Sequence, residues 1–114
     1  MSSKDPVGLR VREISQGGTC ALILSGELDL ATRPLLDAAL QRLERRPIDT
    51  LILDLGALAF MDSTGLHAVL VAKAICARRG CEFLMVPGST QVQRLFALSG
   101  VHVAPPLSGE ALTA

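Results

Sequence analysis

A hydroxyl, a carboxylate and an imidazole fall within one short stretch of this 114-residue chain, Met61-Asp62-Ser63-Thr64-Gly65-Leu66-His67. Side chains of these types serve two chemistries. The first is nucleophilic catalysis, in which a base takes the serine proton and an acid orients the base. The second is acceptance of a phosphoryl group by Ser63 from an outside kinase. Spacing disfavours the first. Ser63 and His67 stand one helical turn apart, so their side chains lie in parallel and not head-on. The Gly-x-Ser-x-Gly elbow of the α/β-hydrolases is also absent. For the second chemistry the stretch is well suited. A helix start directs N–H groups and a positive dipole end outward, where a phosphate is tolerated by its own domain. Phosphorylation adds about −1.5 to −2 charges. Burying that dianion against a surface shaped for a hydroxyl is costly unless cations pair with it. Each loss of about 1.4 kcal/mol is tenfold in affinity. Asp62 adds like charge beside the site. Most Ser-Thr pairs at helix starts only cap the helix, and either Asp62 or Ser63 is fit to do so here.

Several elements must position this stretch. Val7, Leu9 and Val11 alternate with Gly8, Arg10 and Arg12, the period of a half-buried strand. Gln16-Gly17-Gly18 supplies a turn, and Thr19 to Ser25 is a nearly continuous apolar run, so the two runs form a hairpin. Thr32 stands where an N-cap would, and Pro34 is tolerated in a first helical turn. Leu36, Ala39, Leu40 and Leu43 then share one helical face, and the helix should stop before Pro47. Leu51 to Leu55 is a short buried strand. A helix over 63–79 follows, ending at Gly80, and then a strand over 82–86. Ser89 caps a last helix whose Val92, Leu95 and Phe96 share a face and whose stop is Gly100, with a short strand over 101–103 beyond it. The order β-β-α-β-α-β-α-β implies an α/β domain. Its mixed, mostly parallel sheet of four to five strands opens with a β-hairpin and is covered by three to four helices.

On the second helix, Gly65, Ala68, Val69, Ala72, Ile75 and Cys76 fall on one side and should pack on the sheet. Ser63, His67, Leu70 and Ala74 fall on the other, flanked by Leu66, Val71 and Lys73. An outward face this apolar beside a hydroxyl marks a docking surface, unless Leu70 and Val71 are covered by another part of the chain.

Composition narrows the function classes. Apolar residues make up 49% of the chain, enough for one core, and the length suits a single domain over 1–114, ordered from about 7 to 103. Charged residues are 19% and the formal net charge is zero, so no basic footprint for nucleic acid or an anionic membrane exists. With no Trp or Tyr and three Phe, base-stacking platforms are excluded. Cys20, Cys76 and Cys81 are odd in number, lack Cys-x-x-Cys spacing and sit in or beside apolar runs. They are read as buried thiols in a reducing compartment, with no metal site and no cofactor. His67 and His102 are not at ligand spacing from any cysteine. No phosphate-cradling glycine motif occurs. The N-terminus lacks the apolar core of a secretory signal and no run is long enough to span a membrane, so the expected compartment is the cytoplasm, without membrane insertion.

Met61-Asp62-Ser63-Thr64-Gly65-Leu66 resembles the phosphorylation motif of the anti-sigma factor antagonists of the STAS (sulphate transporter and anti-sigma factor antagonist) family. Gly26-Glu27-Leu28-Asp29 is similar to that family's second signature. Val86-Pro87-Gly88-Ser89, with Val92 to Gly100, is similar to its closing helix. The three matches are in register and span about Leu9 to Val103. The resemblance implies that Ser63 is the phosphorylated serine and that the chain is no enzyme. It also implies that the unphosphorylated form binds an anti-sigma factor that is a serine/threonine kinase and thereby releases a sigma factor. A metal-dependent serine phosphatase would reset the switch. Asp29, Asp62, Thr64, Gly65, Leu66, His67 and Leu70 are then the expected partner-binding residues. His67 departs from the glycine common in the family at its position. Within the same family, the alternative is an accessory or scaffold subunit of a lipid-transport or stress-sensing complex.

Overall fold

The computed structural model describes residues 8–99. Strands β1 (Leu9–Gln16), β2 (Thr19–Leu28), β3 (Thr50–Met61) and β4 (Glu82–Val86) form one sheet in the order β1-β2-β3-β4. β1 and β2 are antiparallel across a turn in which Gly17 has a φ of 61°, and β2-β3 and β3-β4 are parallel. Helix α1 (Arg33–Glu44) connects β2 to β3, α2 (Ser63–Arg79) connects β3 to β4, and α3 (Thr90–Ser99) follows β4. Successive crossovers of the usual right hand between neighbouring parallel strands place both helices on one face. Accordingly α1 touches α2, and α3 touches β3 and α2.

The core lies between that face and the helices. Cys20, Leu22 and Leu24 of β2 and Leu51, Leu53 and Leu55 of β3 alternate toward it, and all are buried. Leu36, Ala39, Leu40 and Leu43 are the buried residues of α1, the four that the helical spacing selects. The opposite face carries Ala21 and Ile52, both buried by their strand neighbours, with Ile14, Ile23 and Leu84 half-buried. All three cysteines are free and buried, as expected.

Two expectations need correction. β3 does not end near Leu55 but runs on to Met61. Gly56 and Ala57 are poor strand formers, yet β2 continues past Ser25 and offers a ladder, pairing Ser25 with Ala57, Gly26 with Leu58, Glu27 with Phe60 and Leu28 with Met61. Register shifts between Ile23 and Ser25 and between Gly26 and Glu27 absorb the irregularity. Thr32, at the N-cap position of α1, makes no side-chain cap bond to that helix; its hydroxyl turns back into the preceding loop. The stop at Gly100, the strand over 101–103 and His102 lie outside the described residues.

Candidate functional site

β2 and β3 run side by side and end together, so the loops that follow, Asp29–Thr32 and Asp62, meet at the carboxyl edge of the sheet. In open α/β sheets, ligands gather at that edge. The Asp29 loop is held by a reciprocal pair. Asp29 N–H donates to Thr32 Oγ1 at 3.0 Å, and Thr32 N–H donates to Asp29 Oδ1 at 3.1 Å. The two side chains thus satisfy each other's backbone N–H and close a four-residue turn ahead of α1. The Thr32 hydroxyl also donates to Glu27 O at 2.8 Å. Asp29 Oδ1 is therefore spent within its own turn, and the carboxylate shapes the loop.

At the start of α2, Asp62 is the N-cap, with extended backbone, and its Oδ1 accepts from Gly65 N–H at 3.0 Å. Asp62 N–H donates to Leu28 O at 3.4 Å, and Gln91 of α3 donates to Met61 O at 3.4 Å, which ties the segment to β2 and α3. Because Asp62 takes the capping role, Ser63 does not. Ser63 is exposed, and among the described residues no group hydrogen-bonds its hydroxyl. Thr64, Leu66 and Leu70 are half-buried and His67 is exposed. Gly65 is buried, on the side of α2 that the helical spacing turns toward the sheet. A Cβ there would stand 2.7 Å from Leu28 O and 2.5 Å from Met61 Cγ, so glycine is what lets α2 close onto the end of β2.

The rest of α2 follows its wheel. Gly65, Ala68, Val69, Ala72 and Cys76 are buried, while Ile75 is only half-buried. Val71 and Ile75 face Leu40 of α1 across a groove of about 270 Å³ whose rim includes Arg33 and Asp37. α1 thus covers part of the apolar outer face.

Three further residues belong to this edge and were not singled out from sequence. Leu30 is 75% exposed in the Asp29 loop, and Phe60 is 39% exposed one residue before Met61. Leu30 is short of any helical or strand period, and Phe60 lies in what reads as a loop, so neither gives a local signal. The third is Arg33, at the start of α1, whose Nη1 lies 2.9 Å from His67 Nδ1. Arginine only donates, so His67 Nδ1 is the acceptor in this contact. His67 Nδ1 is thus engaged by Arg33, and among the described residues no hydrogen bond joins the ring to the Ser63 hydroxyl.

The disturbed thiols lie elsewhere. Gly80, with φ 76°, closes α2 with bonds from Gly80 N–H to Ala77 O (3.3 Å) and from Cys81 N–H to Cys76 O (3.0 Å). This Schellman pattern brings the residue four before the glycine and the one after it into contact, here Cys76 and Cys81. Burial, reinforced by the neighbouring Cys81 thiol, pushes Cys76 up to about 12. Burial also raises Cys20 in β2.

Known proteins share both sequence and shape with this chain. A curated anti-sigma F factor antagonist of Paenibacillus polymyxa is 28% identical over 102 residues, covering 89% of this chain and 87% of that protein. The anti-sigma factor antagonist SpoIIAA in its unphosphorylated form superposes with a TM-score of 0.77 at 23% identity, over 90% of this chain and 92% of that one. An anti-sigma factor antagonist from Mycobacterium paratuberculosis gives 0.80 at 21% identity, over 95% and 93%. The Bacillus cell fate determinant SpoIIAA in its phosphorylated form gives 0.73 at 22% identity, over 90% and 96%. These structures share the fold. The STAS domain pattern matches residues 12–108, most of the chain, and the protein therefore belongs to the STAS domain family.

Proposed function

We propose that this chain is an anti-sigma factor antagonist governed by phosphorylation of Ser63. Unphosphorylated, it binds an anti-sigma factor that is also a serine/threonine kinase, and a sigma factor is released. The kinase transfers a phosphoryl group to Ser63 and the complex separates; a metal-dependent phosphatase restores the hydroxyl. The catalytic chemistry belongs to the partners, and this chain is ligand and substrate in the cytoplasm. The observation that carries the proposal is the free, exposed Ser63 hydroxyl at a helix start already capped by Asp62. A phosphate on that oxygen displaces no internal hydrogen bond, so its effect falls on whatever covers the edge. Exposed Leu30 and Phe60 supply apolar area for such a partner, and Asp62, Thr64, Leu66, His67 and Leu70 border it.

The test is a pull-down of Ser63→Ala and Ser63→Asp by the host's anti-sigma kinases, alongside incubation with ATP and mass spectrometry of the wild type. Ser63→Ala is expected to bind constitutively, Ser63→Asp to keep the fold and lose binding, and the wild type to gain one phosphate at Ser63. Equal binding by the two variants would discard the switch.

A further inference from the structure

We infer that Arg33 and His67 form a phosphate clamp for phosphorylated Ser63, holding the phosphate against the domain that carries it. The inference rests on Ser63 being the phosphorylated residue. Arg33 Nη1 donates to His67 Nδ1 at 2.9 Å, across 34 residues of sequence, and Arg33 Nε lies 3.5 Å from Asp37 Oδ2. His67 is one turn beyond Ser63 in α2, and helical side chains lean back over the turn before them. The imidazole, with the guanidinium bonded to it, thus stands on the Ser63 side of the helix.

Arg33 is weakly held where it is. Its contact with the His67 ring is a single bond at the exposed surface. Its ion pair with Asp37 is a partly exposed i,i+4 contact of the kind that contributes little. A phosphate dianion offers the same guanidinium charge-assisted, two-pronged bonding, the stronger arrangement. Three carboxylates near the edge oppose a phosphate; two keep their partners when Arg33 moves, and Asp37 gives up a weak, partly exposed ion pair. Asp62 Oδ1 is held by Gly65 N–H, Asp29 Oδ1 by Thr32 N–H, and Asp37 by Arg33. Transfer of Arg33 from Asp37 and His67 to the phosphate also takes it from the rim of the α1–α2 groove. Phosphorylation then alters the docking edge by moving a cation as well as by adding an anion.

The experiment uses full-length chain with phosphoserine encoded at position 63, so no kinase is required. ³¹P NMR follows the phosphate through its second ionisation, ordinarily near pH 6. Wild type, Arg33→Ala, Arg33→Lys and His67→Gly are compared, with Lys73→Ala as the control. In the wild type and Lys73→Ala the midpoint is expected to fall by about half a pH unit or more, as a cation beside the dianion requires. Arg33→Ala should return it to the ordinary value, with Arg33→Lys and His67→Gly between. ¹⁵N resonances of the arginine side chains report independently, and the Arg33 signal should shift on phosphorylation. Identical midpoints in wild type and Arg33→Ala, or an unmoved Arg33 signal, would overturn the clamp. Binding of the same phosphoprotein to the kinase is scored separately. Retained binding counts against the switch and leaves the clamp standing, whereas an ordinary midpoint with lost binding does the reverse.

Discussion

Replacing Gly65 with alanine sets two effects of opposite sign against each other. Alanine is favoured over glycine inside a helix by about 1 kcal/mol. At this site, however, the new methyl would lie 2.7 Å from Leu28 O, 2.5 Å from Met61 Cγ and 3.0 Å from Leu28 Cγ. Carbon–oxygen contacts ordinarily begin near 3.3 Å, so a gap of roughly 0.6 Å must open. Neither neighbour yields readily. Leu28 and Met61 are fully buried and paired across β2 and β3, and Leu28 O accepts from Asp62 N–H. Overpacking of this kind costs about 1–3 kcal/mol. Subtracting the helix preference leaves a net loss of roughly 1–2 kcal/mol at the upper part of that range. The midpoint temperature should drop by about 4–8 °C per kcal/mol for a domain near this size. Urea denaturation at fixed slope measures the difference directly. Gly80→Ala is the comparison, because a Cβ there meets nothing within 4 Å and only the left-handed backbone resists it. Since the strain in Gly65→Ala is relieved by lifting the first turn of α2, Ser63 moves with it. Binding to the proposed anti-sigma partner should therefore weaken beyond what the stability loss explains, whereas Gly80→Ala should leave binding intact. A Gly65→Ala protein as stable as the wild type, or more so, would refute the close packing of α2 on β2.

Other perturbations test the same edge and the far end of α2. Asp62→Ala removes the cap and should cost about 1 kcal/mol by chemical denaturation, with Asp62→Asn largely restoring it. Thr32→Val keeps the shape but leaves Asp29 N–H and Glu27 O without their partner, a loss of about 1–3 kcal/mol in the same assay. Cys76 in the folded state titrates near 12 against an ordinary 9, so the unfolded chain loses its proton first as pH rises. Its contribution is complete below pH 9 and is lost progressively as the pH rises toward 12. Stability against pH should fall less steeply above pH 9 in Cys76→Ala than in the wild type.

Features set by neighbours in sequence were legible in the chain itself. The α1 stripe of Leu36, Ala39, Leu40 and Leu43 follows from 3.6 residues per turn, and the stop of α2 at Gly80 from glycine's access to positive φ. The hairpin turn at Gly17, the Ser89 bond to Val92 N–H, and the start of α2 at Asp62-Ser63 are local in the same way. What depended on chains meeting was not legible. β3 reaches Met61 only because β2 lies beside it, and strand formation beyond Leu55 is decided by the partner's ladder, not by the segment's own residues. That Asp29 Oδ1 closes a turn with Thr32 follows from the loop's path between β2 and α1. The bond between Arg33 and His67 joins residues that no periodicity connects. Sequence alone determined the helices and their faces, because those depend on interactions within a few residues; Ser63 was singled out by the resemblance of Met61 to Leu66 to a family motif. The tertiary fold decided which of Asp62 and Ser63 is consumed as the cap, how closely Gly65 lies against Leu28 and Met61, and that Arg33 meets His67. These outcomes depend on where β2, α1 and α2 converge, and that convergence is set by burial of the shared core.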